Sequence, residues 1–159
     1  MCIFYFNASN AQNTRAYYQS LFLLKFIKYA NWTKQPDYYK IGVVGNTPVI
    51  PHLKTMTKKR RVNGKPVVLY KINSYADLGK YSLIYIPRNQ NSKVKYIVSR
   101  TKNKDVLIVT EDDRYIYRGA LISFYERNKA LKFKINTRAT ARRKIQISRR
   151  LLSVATVIN

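Results

Sequence analysis

The spacing of apolar positions along this 159-residue chain changes several times, and each change marks an element. Residues 12–29 carry Ala16 and Tyr17, and from Tyr17 on Leu21, Leu24 and Ile27 follow at steps of four and three, the rhythm of an amphipathic helix, and Pro36 closes its exit loop. Four short apolar runs follow at 41–44, 67–72, 83–86 and 106–109. They are continuous rather than alternating, which suits strands buried on both faces of a parallel sheet. Between them, 48–57, 74–78 and 92–101 can each form a helix or a turn of one, with Pro48 suited to a first helical turn. Asn63-Gly64 marks a tight turn before the second strand. Segments 120–126 and 130–136, joined by Arg127-Asn128-Lys129, predict an antiparallel hairpin.

The period switches once more near the end. Leu131, Phe133 and Ile135 alternate with Lys132, Lys134 and Asn136, the signature of a half-buried strand. From Ala139 the period becomes helical and predicts a helix over 137–158, with Asn136 able to cap its start. Ala141, Ile145, Ser148, Leu152 and Ala155 share one arc of it, and Ile147, Leu151, Val154 and Ile158 fill the arc beside it. Leu152 is therefore expected at the centre of the buried side. Arg142, Arg143, Gln146, Arg149 and Arg150 point the other way. Lys144 alone intrudes on the apolar side, so the helix breaks or bends there, or the lysine snorkels. The pattern as a whole predicts one α/β domain of three layers. A mostly parallel sheet with right-handed crossovers carries flanking helices on both faces and an antiparallel C-terminal hairpin on one edge. No repeat or linker points to a second domain.

Charge changes the picture more than composition does. Thirty-one Lys and Arg oppose seven acids, a net charge of +24. Such a field attracts nucleic acid or anionic lipid. Basic residues occur in every segment, with clusters at 58–61 and 138–150, but there is no basic tail and no zinc-knuckle spacing. A basic nucleic-acid-binding module stands as the alternative reading.

The supply of catalytic groups is thin. The only cysteine is Cys2 and the only histidine is His52, so no internal disulfide and no Cys/His zinc site is possible. A Ser-His-Asp triad would need His52, which reads as a packing residue on a helix. Glu111-Asp112-Asp113 follows the fourth strand, where ligands bind in open α/β sheets. Three carboxylates there could hold Mg²⁺; a turn with a cap at Thr110, Asp112 or Asp113 is the simpler reading. Gly45-Asn46-Thr47 lacks the glycine spacing and the lysine of nucleotide-binding loops. The expectation is a protein without catalytic residues, cofactor or metal. Tyrosine is abundant, at 14 residues, with Tyr81, Tyr85, Tyr115, Tyr117 and Tyr125 near Arg114 and Arg118; buried strand tyrosines are the plain reading, and a nucleotide-stacking sheet and a protein-binding surface are the others.

At the other end, residues 1–6 are apolar and Ser9 and Ala11 form a small-x-small cleavage site. Residues 1–11 therefore read as the remnant of a signal peptide whose start lies upstream, and 12–159 as the single domain.

Several of these segments carry a resemblance in their order and spacing. The series Ile135-Asn136, Ala139, Ile145, Ile147-Ser148, Arg150-Leu151-Leu152 and Ala155 resembles the C-terminal signature of the YfiR family of bacterial periplasmic regulators. Residues 23–32, ending in Trp32, are similar to that family's first helix. Ile41-Gly-Val-Val-Gly45 with Pro48, Gly64-Lys-Pro66, and Val109-Thr110-Glu111-Asp112 with Gly119 and Ile122 are similar to its strands and turns. Three positions depart from the pattern. Lys144 stands where the family often has Gly, Arg149 where a second Ser is common, and Ala120 where a second Gly is common. The cysteine pairs of some relatives are also missing.

The resemblance implies a non-enzymatic periplasmic regulator, a homodimer. It would bind and repress the periplasmic domain of an inner-membrane signalling protein such as a diguanylate cyclase or a sensor histidine kinase. The residues expected to serve binding are Asn46, Thr110, Glu111, Asp112, Arg118, Gly119, Arg142, Arg143, Arg149 and Arg150.

Overall fold

The structure, a computed structural model, describes residues 8–159, so Cys2 and the apolar run at 1–6 lie outside the described residues. The first helix, α1 (Ala8–Tyr29), runs unbroken through the expected cleavage position at Ser9 and Ala11. It leads into β1 (Ala30–Trp32), β2 (Tyr39–Val44) and α2 (Val49–Thr57). A two-residue strand, β3 (Arg61–Val62), then turns into β4 (Lys65–Ile72). The chain continues through β5 (Leu83–Ile86), α3 (Val94–Arg100), β6 (Leu107–Thr110), β7 (Ile122–Arg127) and β8 (Ala130–Asn136).

The main sheet has eight strands in the order β10-β8-β7-β6-β5-β2-β4-β3, where β10 is Thr156–Ile158. From β4 to β7 all neighbours are parallel, and β8 runs back antiparallel to β7, as the hairpin pattern predicts. The four predicted strands are present within one or two residues of their expected bounds. Residues 74–78, by contrast, supply only the start of a short turn of helix at Leu78–Lys80. Both hairpin turns have the left-handed backbone that a two-residue loop needs. Asn63 and Gly64 have φ of 50° and 76°, and Asn128 and Lys129 have 51° and 60°.

Register puts Tyr85, Val109, Ile122 and Ile135 in one line across the sheet. On that face Phe124 and Phe133 pack against Phe22 and Phe26 of α1, with ring centroids 4.9–6.2 Å apart. The helix α2 lies beside α1, whose Ser20 hydroxyl donates to Val49 O at 3.3 Å. The other face carries Ser123 and Lys134 and is covered by α3 and the turn at Asp113–Tyr117, which Lys134 Nζ reaches through Asp113 Oδ2 at 2.8 Å. Cover on both sides explains why β5 and β6 are buried at every position, the continuous apolar runs of the sequence.

The C-terminal segment differs from the expected single helix. Asn136 caps α4 (Thr137–Arg142) by accepting from Ala139 N at 2.9 Å, as its side chain suggests, but α4 ends after six residues. Lys144 then takes φ of +57°, a left-handed turn that no continuing helix tolerates. Glycine adopts that conformation without penalty, which accounts for glycine being common there in the family the sequence resembles. Beyond it, β9 (Ile145–Ile147) pairs antiparallel with β1 in a two-stranded sheet. Ser148 caps α5 (Arg149–Leu152), and β10 adds itself parallel to β8, so that β10 and not the hairpin forms that edge. The change of phase moves the burial by one residue: Leu151 is buried and Leu152 only half-buried.

Candidate functional site

The five central parallel strands lie in the order second-first-third-fourth-fifth by sequence. This arrangement reverses direction between β2 and β5, and ligands bind beyond the strand ends at such a reversal. An open cleft of about 460 Å³ lies at that point, lined by Gln12, Arg15 and Gln19 of α1 and by Thr47, Arg88 and Glu111. Glu111 organises it: Oε1 accepts from Gln19 Nε2 at 3.0 Å, and Oε2 accepts from Arg88 N at 2.7 Å. Arg15 Nε lies 3.9 Å from the same carboxylate. Below it, the fully buried Tyr85 hydroxyl has no partner, and burial together with the Glu111 charge raises its pKa well above the ordinary value. Asn46 holds the neighbouring loop, accepting from Lys71 Nζ at 2.6 Å and, through its carbonyl, from Asn89 Nδ2 at 3.1 Å.

The start of α2 offers this cleft no free amides. Pro48 and Pro51 have no N–H, Val49 N is bound by Thr47 Oγ1 at 3.3 Å, and Ile50 N by Thr47 O at 3.2 Å. The first turn of α2 is therefore not a cradle of free backbone donors for a phosphate.

The three consecutive carboxylates do not converge. Glu111 faces the cleft, Asp113 pairs with Lys134, and Asp112 turns inward to cap the helical turn that follows it. Among the described residues no group of three metal-ligating side chains exists. The cap is therefore the role of Asp112, whose side chain is buried. It accepts from Arg114 N at 3.1 Å and from the Arg114 guanidinium at 2.6–3.2 Å, from Asn91 Nδ2 at 2.9 Å, and lies 3.6 Å from Arg88. These donors, Arg114 foremost, hold its carboxyl far below the usual carboxylate range despite burial.

That shift has a pH consequence. A group with a depressed folded pKa contributes stability above its unfolded value of about 3.9, and the contribution is lost as pH falls through the folded value. The melting temperature of Asp112→Asn should accordingly lie below the parent's at pH 6. The gap should hold down to about pH 4 and shrink below it, because the unfolded chain then takes up a proton that the folded carboxyl still excludes. A pH-independent gap would mean that Asp112 acts as a neutral spacer.

Of the residues expected to bind, the structure joins some into a surface and assigns others to construction. Thr110 is fully buried, with its hydroxyl 2.6 Å from Ser123 Oγ and 3.1 Å from Asp112 O. Gly119 has φ of +106°, and a Cβ there would lie 2.4 Å from Val98 Cγ1, so it lets the loop close on α3. What the loop exposes is Arg114, Tyr117 and Arg118, with Arg88 beside them across Asp112. Arg114 and Tyr117 were legible as Tyr/Arg composition; Arg88, Arg15 and Gln19 had no sequence signal, because only the sheet order brings them to Glu111.

The four C-terminal arginines divide as well. Arg142, Arg149 and Arg150 are exposed, whereas Arg143 is buried, a correction to its expected place on the outer face. Its guanidinium donates to the carbonyls of Thr101, Lys104 (3.3 Å) and Val98 (3.4 Å), all at or just beyond the end of α3. Burial lowers its pKa, and the carbonyl end of the helix dipole supplies the compensating negative potential.

Among the described residues no helix is long and apolar enough to cross a membrane. Solved structures show the same fold. A conserved domain protein from Vibrio cholerae O1 biovar El Tor superposes with a TM-score of 0.62 at 19% identity, covering 90% of this chain and 60% of that one. An ABC domain from Streptococcus pneumoniae in complex with L-Trp gives 0.61 at 17% identity, covering 85% of this chain and 59% of that one. This chain thus spans less than two thirds of either protein. A search of curated proteins finds no match. The family model described as YfiR/HmsC-like matches residues 16–156, from the first helix to the last strand, and that family is regulatory rather than enzymatic. With a match of that extent, the chain belongs to the YfiR/HmsC-like family of periplasmic regulators.

Proposed function

We propose that this protein is a periplasmic regulator that binds, without catalysis, the periplasmic domain of an inner-membrane signalling protein and represses it. The partner would be a diguanylate cyclase or a sensor histidine kinase, and the free regulator a homodimer. The domain would begin at Gln12 after removal of a leader.

The observation that carries the docking surface is the Asp112 loop. One buried carboxylate fixes Arg88 and Arg114 beside Tyr117, which is 69% exposed, and Arg118. Tyrosine and arginine supply most interface hot spots, and pre-ordering them lowers the entropy lost on binding. Binding would bias a two-state transmembrane partner, and release would change its output. Asn46 and Glu111 shape the adjacent cleft, and Arg142, Arg149 and Arg150 remain available for a second contact.

Tyr117→Ala/Arg118→Ala tests this surface, since exposed substitutions usually cost within about 0.5 kcal/mol of stability each. Its affinity for the signalling partner's periplasmic domain should fall at least about 30-fold, the scale of one hot spot, measured by calorimetry. Equal affinity of parent and variant would remove the loop from the contact.

A further inference from the structure

The positive charge of this chain is not distributed evenly in space. Asp37 is the only acid before Asp77, so α1, α2, β3 and β4 contain no carboxylate at all. The helix α1 starts near the strands' carboxyl ends, where Gln19 meets Glu111, and descends toward their amino ends. There Asn63 Nδ2 donates to Lys28 O at 3.2 Å, bringing the β3–β4 turn against the last turn of α1. The helix α2 returns to the same end and delivers the run Lys58, Lys59, Arg60 and Arg61. Ser148 N donates to Tyr29 O at 2.9 Å, which brings Arg150 to this end, where its guanidinium beside the Tyr29 hydroxyl lowers that group's pKa.

Lys25, Lys28, Lys58, Lys59, Arg60, Arg61 and Arg150 are all exposed. No ion pair reaches them among the described residues: the pairs are Arg15 with Glu111 and Glu126, Arg88 and Arg114 with Asp112, and Lys134 with Asp113. One or two cations would satisfy the carbonyl ends of two helices. The number here exceeds that need.

We propose that this end of the molecule is an electrostatic docking surface for an anionic lipid headgroup layer. The inference rests on the reading of the protein as a regulator of an inner-membrane partner, and it gives that regulator a way to stay at the membrane surface. Bound there by the amino ends of its strands, the molecule turns the Asp112 loop away from the lipid. A nucleic acid fits less well, because single strands need exposed aromatic platforms among the cations. Among the described residues the exposed aromatics are Tyr17, Tyr18, Tyr70, Tyr96 and Tyr117, none of them in this cluster, and the adjacent Phe22 and Tyr29 are half-buried under Lys25 and Lys28.

Each basic residue held near an anionic leaflet strengthens partitioning about fivefold at low salt, and the effect fades beyond about 8 Å at 0.15 M salt. The test is co-sedimentation of the full chain with vesicles of phosphatidylcholine containing phosphatidylglycerol, against pure phosphatidylcholine. Two charge-matched variants separate a surface from net charge. One is Lys28→Ser/Lys58→Ser/Lys59→Ser/Arg60→Ser; the other is Lys93→Ser/Lys95→Ser/Arg127→Ser/Lys132→Ser, exposed cations away from this end.

The expected result is binding to the anionic vesicles only, lost in the first variant by about 600-fold and changed less than about fivefold in the second. Equal losses would show attraction by overall charge and overturn the proposal, as would absence of binding by the parent. A first variant that loses duplex DNA affinity but keeps vesicle binding would assign the surface to nucleic acid and overturn it too. Circular dichroism and melting check each fold; should the first variant unfold, Lys59→Ser/Arg60→Ser carries the test with an expected loss of about 25-fold. Capture of the signalling partner's periplasmic domain without lipid is measured in parallel. If the parent fails that capture yet binds vesicles, the regulator reading falls and the lipid surface stands.

Discussion

Arg143→Met is expected to destabilise the fold by about 2–4 kcal/mol, because a buried charged donor is lost from three carbonyls, that of Thr101 itself buried. Those carbonyls, of Val98, Thr101 and Lys104, close the carboxyl end of α3, and no carboxylate shares the arginine with them among the described residues. Methionine fills much of the volume, so the loss reports hydrogen bonds and charge rather than a cavity. Arg143→Lys should recover only part of it, since a compact ammonium cannot span three acceptors as a planar guanidinium does. Urea melts of the three proteins would decide. A loss within about 0.5 kcal/mol, the range of ordinary surface substitutions, would place Arg143 in solvent.

Phe124→Ala is expected to cost about 3–5 kcal/mol, the usual range for emptying an aromatic site in a core. Phe124 is fully buried and meets Phe22 at 6.2 Å, Phe26 at 5.6 Å and Tyr85 at 6.4 Å between centroids. It is the place where α1 is held to the sheet, so its loss should also loosen the cleft that α1 roofs. Phe124→Leu, which retains most of the volume, should lose far less. If the alanine variant melts within a degree or two of the parent, α1 is not held through this cluster.

These two residues were unequally visible in the sequence. Phe124 lies in a hairpin strand whose bounds were legible to within two residues, and Asn136 announced its cap through its side chain. Arg143 was misread because the arginines at 142, 143, 149 and 150 recur at helical spacing opposite an apolar arc. That arc exists only if the helix continues past Lys144. Similarly, Glu111-Asp112-Asp113 is a run of like residues in sequence, but the backbone sends each side chain to a different partner: Arg15 and Gln19, Arg114 and Asn91, and Lys134.

What the sequence determined by itself is therefore the local part: where the six longer strands lie, where the hairpin turns fall, and that the sheet is mostly parallel and covered on both faces. These follow from side-chain periodicity and from backbone preferences at Asn63-Gly64 and Asn136, which act over a few residues. Tertiary structure decided the rest. A left-handed turn at Lys144, disfavoured locally, is held in place by β9 pairing with β1 and by β10 pairing with β8. The same long-range pairing buries Arg143 and Leu151, leaves Leu152 half-exposed, and gathers scattered cations at one end and scattered polar groups at the switch of the sheet. The physical reason is that the free energy of such contacts belongs to pairs far apart in the chain, and no window of neighbouring residues contains both partners.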